Sequence, residues 1–123
     1  MSAISTIKNS ETALLWFIKV LAGGMIFVFL VIHFFVNHMF APEGLLTFRD
    51  VVAYYQNPLV LVMEGLFLFS ILVHSFLGLR SVILDLNPGP RLIRIMDTVL
   101  ITGGLSGFVY GIWLLNAVAA MHV

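Results

Sequence analysis

The chain has 123 residues, of which 61% are hydrophobic and only 10% are charged. Soluble globular domains carry about 25% charged residues, so this composition indicates a protein of the lipid bilayer. Spanning helices of about 20 residues each leave too little chain for a separate soluble enzyme domain. A formal net charge of zero disfavours nucleic-acid binding. The absence of cysteine excludes disulfides, thiolate zinc sites and iron–sulfur clusters held by this chain.

The hydropathy pattern predicts an all-α integral membrane protein whose residues 1–123 form a single transmembrane domain. The second span has a helix start at Asn57, the cap, and Pro58, the first helical position. Asn87-Pro88-Gly89-Pro90 then prevents the helix from continuing. The predicted transmembrane helices cover about residues 13–37, 58–84 and 95–120.

Glycines recur at every fourth position in the third span. Such a face allows another helix to pack closely, and general helix packing is the favoured interpretation. The glycines are Gly103, Gly107 and Gly111.

The segment between the first two spans is more polar. Pro42-Glu43-Gly44 is typical of a turn, and Thr47 to Asp50 has the pattern of a capping box. Residues 48–56 are amphipathic, which is compatible with a short interfacial helix whose tyrosines lie at headgroup level. An ordinary structured loop is an equally good interpretation of the same residues.

Basic residues predict the orientation, because cytoplasmic loops are enriched in Lys and Arg. The loop between the first two spans has only Arg49, whereas more basic residues flank the first span and the second loop. We therefore expect the N-terminus and the second loop on the cytoplasmic side and the C-terminus outside. The residues that decide this are Lys8, Lys19, Arg80, Arg91 and Arg94.

Histidines inside a span are costly without a partner and are functional candidates. A rotation of 100° per residue brings Gly78, Ser81 and Asp85 within about 40° of His74. A flat macrocycle with its iron on this imidazole needs a bare neighbouring turn, which Gly78 provides. The alternative is a structural histidine bonded to a neighbouring helix.

His33 is the second buried candidate. It follows Lys19 by about 21 Å of helix, whereas His74 lies about 9 Å from Arg80. Because both basic residues belong near the cytoplasmic surface, His33 is expected in the outer half of the bilayer and His74 nearer the inner half. They cannot be the two axial ligands of one haem, so each needs an opposite ligand from another chain.

Three further polar side chains are considered beside His74 and His33. His38 is expected to be interfacial or hydrogen-bonded, and His122 to be an exposed tail residue. Glu64 is either a boundary carboxylate that reaches water or part of a proton path near the outer side.

Taken together, these residues resemble a known family. The pattern His74-x-x-x-Gly78-x-Arg80-x-x-x-x-Asp85 resembles the second-helix signature of the small membrane-anchor subunits of succinate dehydrogenase. The three-span layout at this length is that of the subunit usually called D. Lys19-Val-Leu-Ala-Gly23 stands where the family commonly has an Arg-x-Ser-Gly opening. The resemblance covers roughly residues 14–90.

The resemblance implies a cytochrome b subunit. His74 takes the position of the axial haem b ligand, with Gly78 and Arg80 beside the cofactor, and His33 matches the extra ligand of two-haem members. The quinone-site candidates are Asp85, Ser81 and Lys19. The chain departs from the family pattern at two positions: Leu86 stands where a tyrosine is frequent, and Lys19 where an arginine is.

The implied function is that of a membrane anchor in a prokaryotic succinate:quinone oxidoreductase. It would bind one or two haems together with a second anchor subunit, dock an iron–sulfur and a flavoprotein subunit, and help to form the site of quinone reduction in the cytoplasmic membrane. The alternatives are a small proton-coupled transporter and a cofactor-free scaffold subunit.

Overall fold

The computed structural model describes residues 12–41, 44 and 46–122. Within these residues the chain forms α1 (Ala13–Phe40), α2 (Phe48–Tyr55), α3 (Pro58–Asp85) and α4 (Pro90–Ala119). The three long helices have the length and hydropathy of membrane spans. The predicted all-α membrane fold with three spans is therefore confirmed. Lys8 and the Pro42-Glu43 pair lie outside the described residues.

Local capping chemistry fixes the beginnings of the first three helices. The Thr12 hydroxyl accepts from the N–H of Leu15 at 3.3 Å, which satisfies one of the free donors at the start of α1. The Asn57 side chain accepts from the N–H of Leu59 at 3.0 Å, with Pro58 at the first turn of α3. This start was predicted from the sequence and is confirmed.

The amphipathic segment is a helix, so the loop interpretation is wrong. Thr47 and Asp50 form the predicted capping box: the Thr47 N–H donates to the Asp50 carboxylate at 2.8 Å, and the Asp50 N–H donates to the Thr47 hydroxyl at 3.3 Å. Hydrogen bonds from the Thr47 hydroxyl and the Thr47 backbone N–H lower the pKa of Asp50; desolvation opposes them, and Arg49 adds a weaker lowering effect. The carboxylate therefore stays charged near the positive end of the helix, where a negative charge is favourable.

Two boundaries differ from the prediction. α4 begins at Pro90 rather than at about residue 95. Proline is well suited to the first helical position, because the N–H that it lacks would have no partner within the helix there. α1 continues to Phe40 rather than ending at 37. The predicted break between α3 and α4 is present, and Asn87 takes a positive φ of 52° there.

α3 is the central helix. It packs against α1 and against α4, while α2 contacts both α3 and α4. The Gln56 amide donates to the backbone carbonyl of Met121 at 3.0 Å and so links the end of α2 to the end of α4. Val52 and Tyr54 are the buried residues of α2. The Tyr54 side chain is thus buried between the helices.

Glycines permit the close approach of α4 to α3. A side chain at Gly111 would collide with Leu68, and a Cβ at Gly107 would lie 3.8 Å from Leu72. The Gly103 position is open, because a Cβ placed there would meet no heavy atom of another helix within 4 Å. The sequence pattern did not include Gly104, where a Cβ would lie 3.3 Å from Phe76. Two of the three predicted glycines therefore face α3.

We expect Gly111→Val to destabilise the bundle more than Gly103→Val does. The added methyl groups must displace Leu68, and overpacking of this kind costs about 1–3 kcal/mol. The midpoint of detergent-induced unfolding, measured for both variants of the purified protein, tests this. Equal midpoints for the two variants would contradict the assigned α3–α4 contact.

Candidate functional site

His74 lies where α3 meets α1. Its Nδ1 is 2.9 Å from the backbone carbonyl oxygen of Lys19. Since a carbonyl oxygen only accepts, Nδ1 carries the proton and Nε2 keeps its lone pair. The side chain is exposed on the surface of the bundle. The hydrogen bond to Lys19 therefore holds the His74 ring in one orientation and leaves Nε2 without a part in this contact.

Gly23 makes this position of the imidazole possible. A Cβ at Gly23 would lie 3.0 Å from Cε1 and 3.1 Å from Nδ1 of His74. These separations are shorter than ordinary van der Waals contact, so a side chain there would require the ring to shift by a few tenths of an ångström. The adjacent Gly24 has no such neighbour within 4 Å. Gly23 is thus a site residue whose function the sequence pattern alone did not define.

Lys19 contacts α3 a second time through its side chain. Its ammonium donates to the Ser81 hydroxyl at 2.8 Å, and that hydroxyl donates to the backbone carbonyl of Leu77 at 3.0 Å. The two predicted quinone-site residues Lys19 and Ser81 are therefore in direct contact. Their hydrogen bond and the His74 contact join the same segment of α1 to successive turns of α3.

The predicted stripe on α3 remains open next to the histidine. A Cβ built on Gly78 would have open space within 4 Å, and Asp85, the last residue of α3, is exposed. A planar group lying against this part of the helix would meet no side chain at Gly78. The structure therefore brings His74, Lys19 and Ser81 together, with Gly78 and Asp85 on the same accessible face.

Arg80 has a different environment. Its Nε donates to Oδ1 of Asp97 at 2.6 Å and its Nη2 to Oδ2 at 3.2 Å, which ties α3 to α4. Both side chains line a groove of about 520 Å³ formed otherwise by apolar residues of α1, α3 and α4. The structure does not bring Arg80 to the His74 face. The sequence pattern did not predict Asp97 as the partner of Arg80, although it places this carboxylate near the start of the third span.

His33 belongs to a second polar cluster. Its Nδ1 is 2.6 Å from Oε1 of Glu64, and the hydroxyl of Tyr54 donates to the same oxygen at 2.7 Å. Glu64 is only 7% exposed, so the expectation that its carboxylate reaches water is wrong. Burial and the adjacent Glu64 raise the pKa of Tyr54, so the phenol remains a hydrogen-bond donor.

The other two histidines lie outside these clusters. The ring of His38 stacks on Phe34 with centroids 6.0 Å apart and is exposed, and His122 is exposed as expected. Among the described residues, no three His, Asp or Glu side chains converge to hold a metal ion. His33 pairs with Glu64 and His74 with Lys19, so the two candidate ligands lie at separate levels of the bundle.

Comparison with known proteins identifies the family. Residues 2–112 match the transmembrane subunit family of succinate dehydrogenase and fumarate reductase. The chain belongs to this family. It is therefore a membrane-anchor subunit of the succinate dehydrogenase/fumarate reductase type, which associates with other subunits of such a complex. The membership confirms the resemblance and favours the anchor hypothesis over a transporter.

Two relatives illustrate the breadth of this anchor family. The chain is 27% identical over 118 residues to a succinate dehydrogenase hydrophobic membrane anchor subunit of Archaeoglobus fulgidus, covering 96% of this chain and 100% of the relative. It is 32% identical over 84 residues to succinate dehydrogenase 2 membrane subunit SdhC of Mycobacterium tuberculosis, covering 66% of this chain and 60% of that protein. No solved structure matches this anchor subunit significantly.

The contact between Gly23 and His74 can be tested without any cofactor. In protein with ¹⁵N-labelled histidine and no added haem, we expect the chemical shifts of His74 to report a proton on Nδ1. Gly23→Ala should displace the ring and change this tautomer ratio, because the new methyl group occupies the space beside Nδ1.

Gly24→Ala is the matched control, since that position is open and its signals should remain those of the native protein. A native His74 spectrum in Gly23→Ala would contradict the assigned packing.

Proposed function

We propose that this anchor subunit binds haem b through Nε2 of His74, opposite a ligand from a second anchor subunit. The observation that supports it is the hydrogen bond from Nδ1 of His74 to the Lys19 carbonyl. Metal-ligating histidines almost always donate their other ring N–H to a carbonyl, carboxylate or water, which fixes the tautomer and the ring orientation. The exposed ring and the open Gly78 position leave room for a planar macrocycle and for the second chain.

Haem, when bound, supplies one-electron transfer. The contribution of this chain is position and electrostatics. Gly23 lets the imidazole approach α1, the Lys19 carbonyl holds its proton, and α3 carries the lone pair of Nε2 to the surface where the second anchor subunit binds. Arg80 is paired with Asp97 on a different face of α3, so it is not proposed as a contact of this cofactor.

His33 is proposed as the ligand of a second haem. Its Nδ1 is used by Glu64, which leaves Nε2 as the available nitrogen, as at His74. The two histidines lie at separate levels of the bundle, so this haem would be distinct from the first and nearer the outside. The proposed stoichiometry is two haems per complex, each shared with the second anchor subunit.

The quinone is proposed to bind near Lys19 and Ser81, with Asp85 at the edge of the site. A quinone carbonyl accepts hydrogen bonds, and the Lys19 ammonium is a donor already directed at α3. Leu86 offers no phenol, so the lysine takes over the donor function in this proposal. The quinone would enter this site from the membrane and leave the site as quinol. The electrons that reduce it would come from the iron–sulfur subunit.

The antiparallel pairing of α1 and α3 supports the proposed orientation. The Lys19–Ser81 contact brings the basic start of α1 level with the basic end of α3. By the positive-inside rule this end faces the cytoplasm of a prokaryote, where the iron–sulfur and flavoprotein subunits are proposed to dock. The C-terminus would then lie on the outer side of the cytoplasmic membrane.

Replacement of His74 tests the haem proposal. In the complex purified with all its subunits, dithionite reduction should produce the absorbance change of a b-type haem. His74→Ala should remove one haem in a pyridine haemochrome assay, since the substitution deletes the ligating nitrogen from this helix face. His38→Ala is the control and should retain the native haem content, because His38 stacks on Phe34 away from both clusters.

A native complex without a haem spectrum would leave the cofactor-free scaffold as the function. An unchanged spectrum in His74→Ala would refute the ligand assignment while leaving the family membership intact.

Removal of the Ser81 hydroxyl tests the quinone site. A lost hydrogen bond costs about 0.5–1.5 kcal/mol, so we expect Ser81→Ala to raise the KM for quinone by roughly two- to tenfold with unchanged haem content. Ser70→Ala is the matched control, because it removes a buried hydroxyl from the same helix that donates to the backbone carbonyl of Leu66. Equal KM values in both variants would contradict the proposed location.

A further inference from the structure

Three helices contribute one side chain each to the cluster around Glu64. His33 comes from α1, Tyr54 from α2 and Glu64 from α3, and both partners contact the same carboxylate oxygen, at 2.6 and 2.7 Å. Glu64 is buried and polar. A carboxylate removed from water costs several kcal/mol unless it is paired and hydrogen-bonded. The hydrogen bonds with His33 and Tyr54 therefore offset the cost of burying the Glu64 carboxylate.

The chemistry of the groups fixes the direction of both hydrogen bonds. An ionised carboxylate only accepts, so with Glu64 in this form the Tyr54 hydroxyl and the Nδ1–H of His33 both donate to it. The His33 ring also packs against Phe67, with centroids 5.7 Å apart, and its side chain is 36% exposed. These contacts hold the ring in one orientation and leave Nε2 as the nitrogen with a lone pair.

The two candidate ligands therefore differ in the group that accepts the hydrogen bond from their Nδ1–H. Nδ1 of His74 donates to a neutral carbonyl, whereas Nδ1 of His33 donates to a carboxylate. A carboxylate draws the Nδ1 proton more strongly and raises the basicity of the ligating nitrogen. The Tyr54 hydroxyl acts in the opposite sense, because it withdraws negative charge from the same oxygen of Glu64.

We infer that Glu64 and Tyr54 are positioning residues for His33: the carboxylate orients the imidazole and increases its electron donation to the iron, and the phenol limits that increase. The inference rests on the proposed ligation by His33. It assigns Glu64 to a role that its position in the sequence did not reveal.

Opposite substitutions in the cluster should shift the potential of the outer haem in opposite directions. Glu64→Gln keeps a hydrogen-bond acceptor of the same shape but removes the charge, so the oxidised haem is less stabilised and its potential rises. Tyr54→Phe removes a donor from the carboxylate, so His33 donates more strongly and the potential falls. For Glu64→Gln we expect roughly a tenfold change in the reduction equilibrium, about 59 mV for a one-electron couple.

The measurement is a potentiometric titration of the purified complex, followed by haem absorbance. His33→Ala identifies the outer haem as the component that disappears. Ser70→Ala serves as the control, since it removes a buried hydrogen bond from α3 without contact to the cluster and should leave both potentials unchanged. The haem at His74 should keep its potential in every one of these variants.

Shifts of opposite sign confined to the outer haem would support the inference. Unchanged potentials, shifts of the same sign, or failure of both cluster variants to assemble would overturn it, the last by showing that the cluster acts in folding alone. A complex with a single haem at His74 would also overturn it while leaving the rest of the proposed function intact. A complex without any haem would refute the proposed function itself.

Discussion

The architecture depends on the free-energy cost of placing polar groups in lipid. The polar groups that decide it are concentrated on the central helix, α3. Four polar side chains of α3 each form a hydrogen bond with a residue of another helix. Glu64, His74 and Ser81 bond to α1, and Arg80 bonds to α4. Apolar contacts give little preference for one neighbour over another in a bilayer, because lipid tails are as apolar as leucine. Polar pairs and glycine contacts therefore determine how the helices are rotated and aligned.

Lys19 forms two hydrogen bonds in this arrangement, one through its backbone and one through its side chain. The carbonyl accepts from His74 and the ammonium donates to Ser81. A shift of α1 along α3 by one turn, about 5.4 Å, would break both contacts at once and also separate His33 from Glu64. The contacts of Lys19 with His74 and Ser81 and the contact of His33 with Glu64 are thus held in register by the same helix pair, although they share no side chain.

The sequence predicted the elements that depend on local chemistry. The spans, the caps at Asn57 and Thr47, and the common face of His74, Ser81 and Asp85 follow from hydropathy, short-range hydrogen bonds and helical periodicity. The pairs Arg80–Asp97 and His33–Glu64 were missed because they join different helices, and uniformly apolar segments contain little information about helix rotation. The requirement that a buried carboxylate has donors would have narrowed the search for partners of Glu64 to the few polar residues at its depth.

The exposed imidazole of His74 has a consequence for the life of the subunit before assembly. A polar ring at the surface of an apolar bundle raises the free energy of the solitary chain, and in the proposed function contact with a partner subunit and with haem iron would remove that penalty. Any ligand that binds only the assembled form stabilises it by mass action. In the proposed function, subunit association and haem binding would therefore each make the other more favourable, and the solitary chain would be the less stable form.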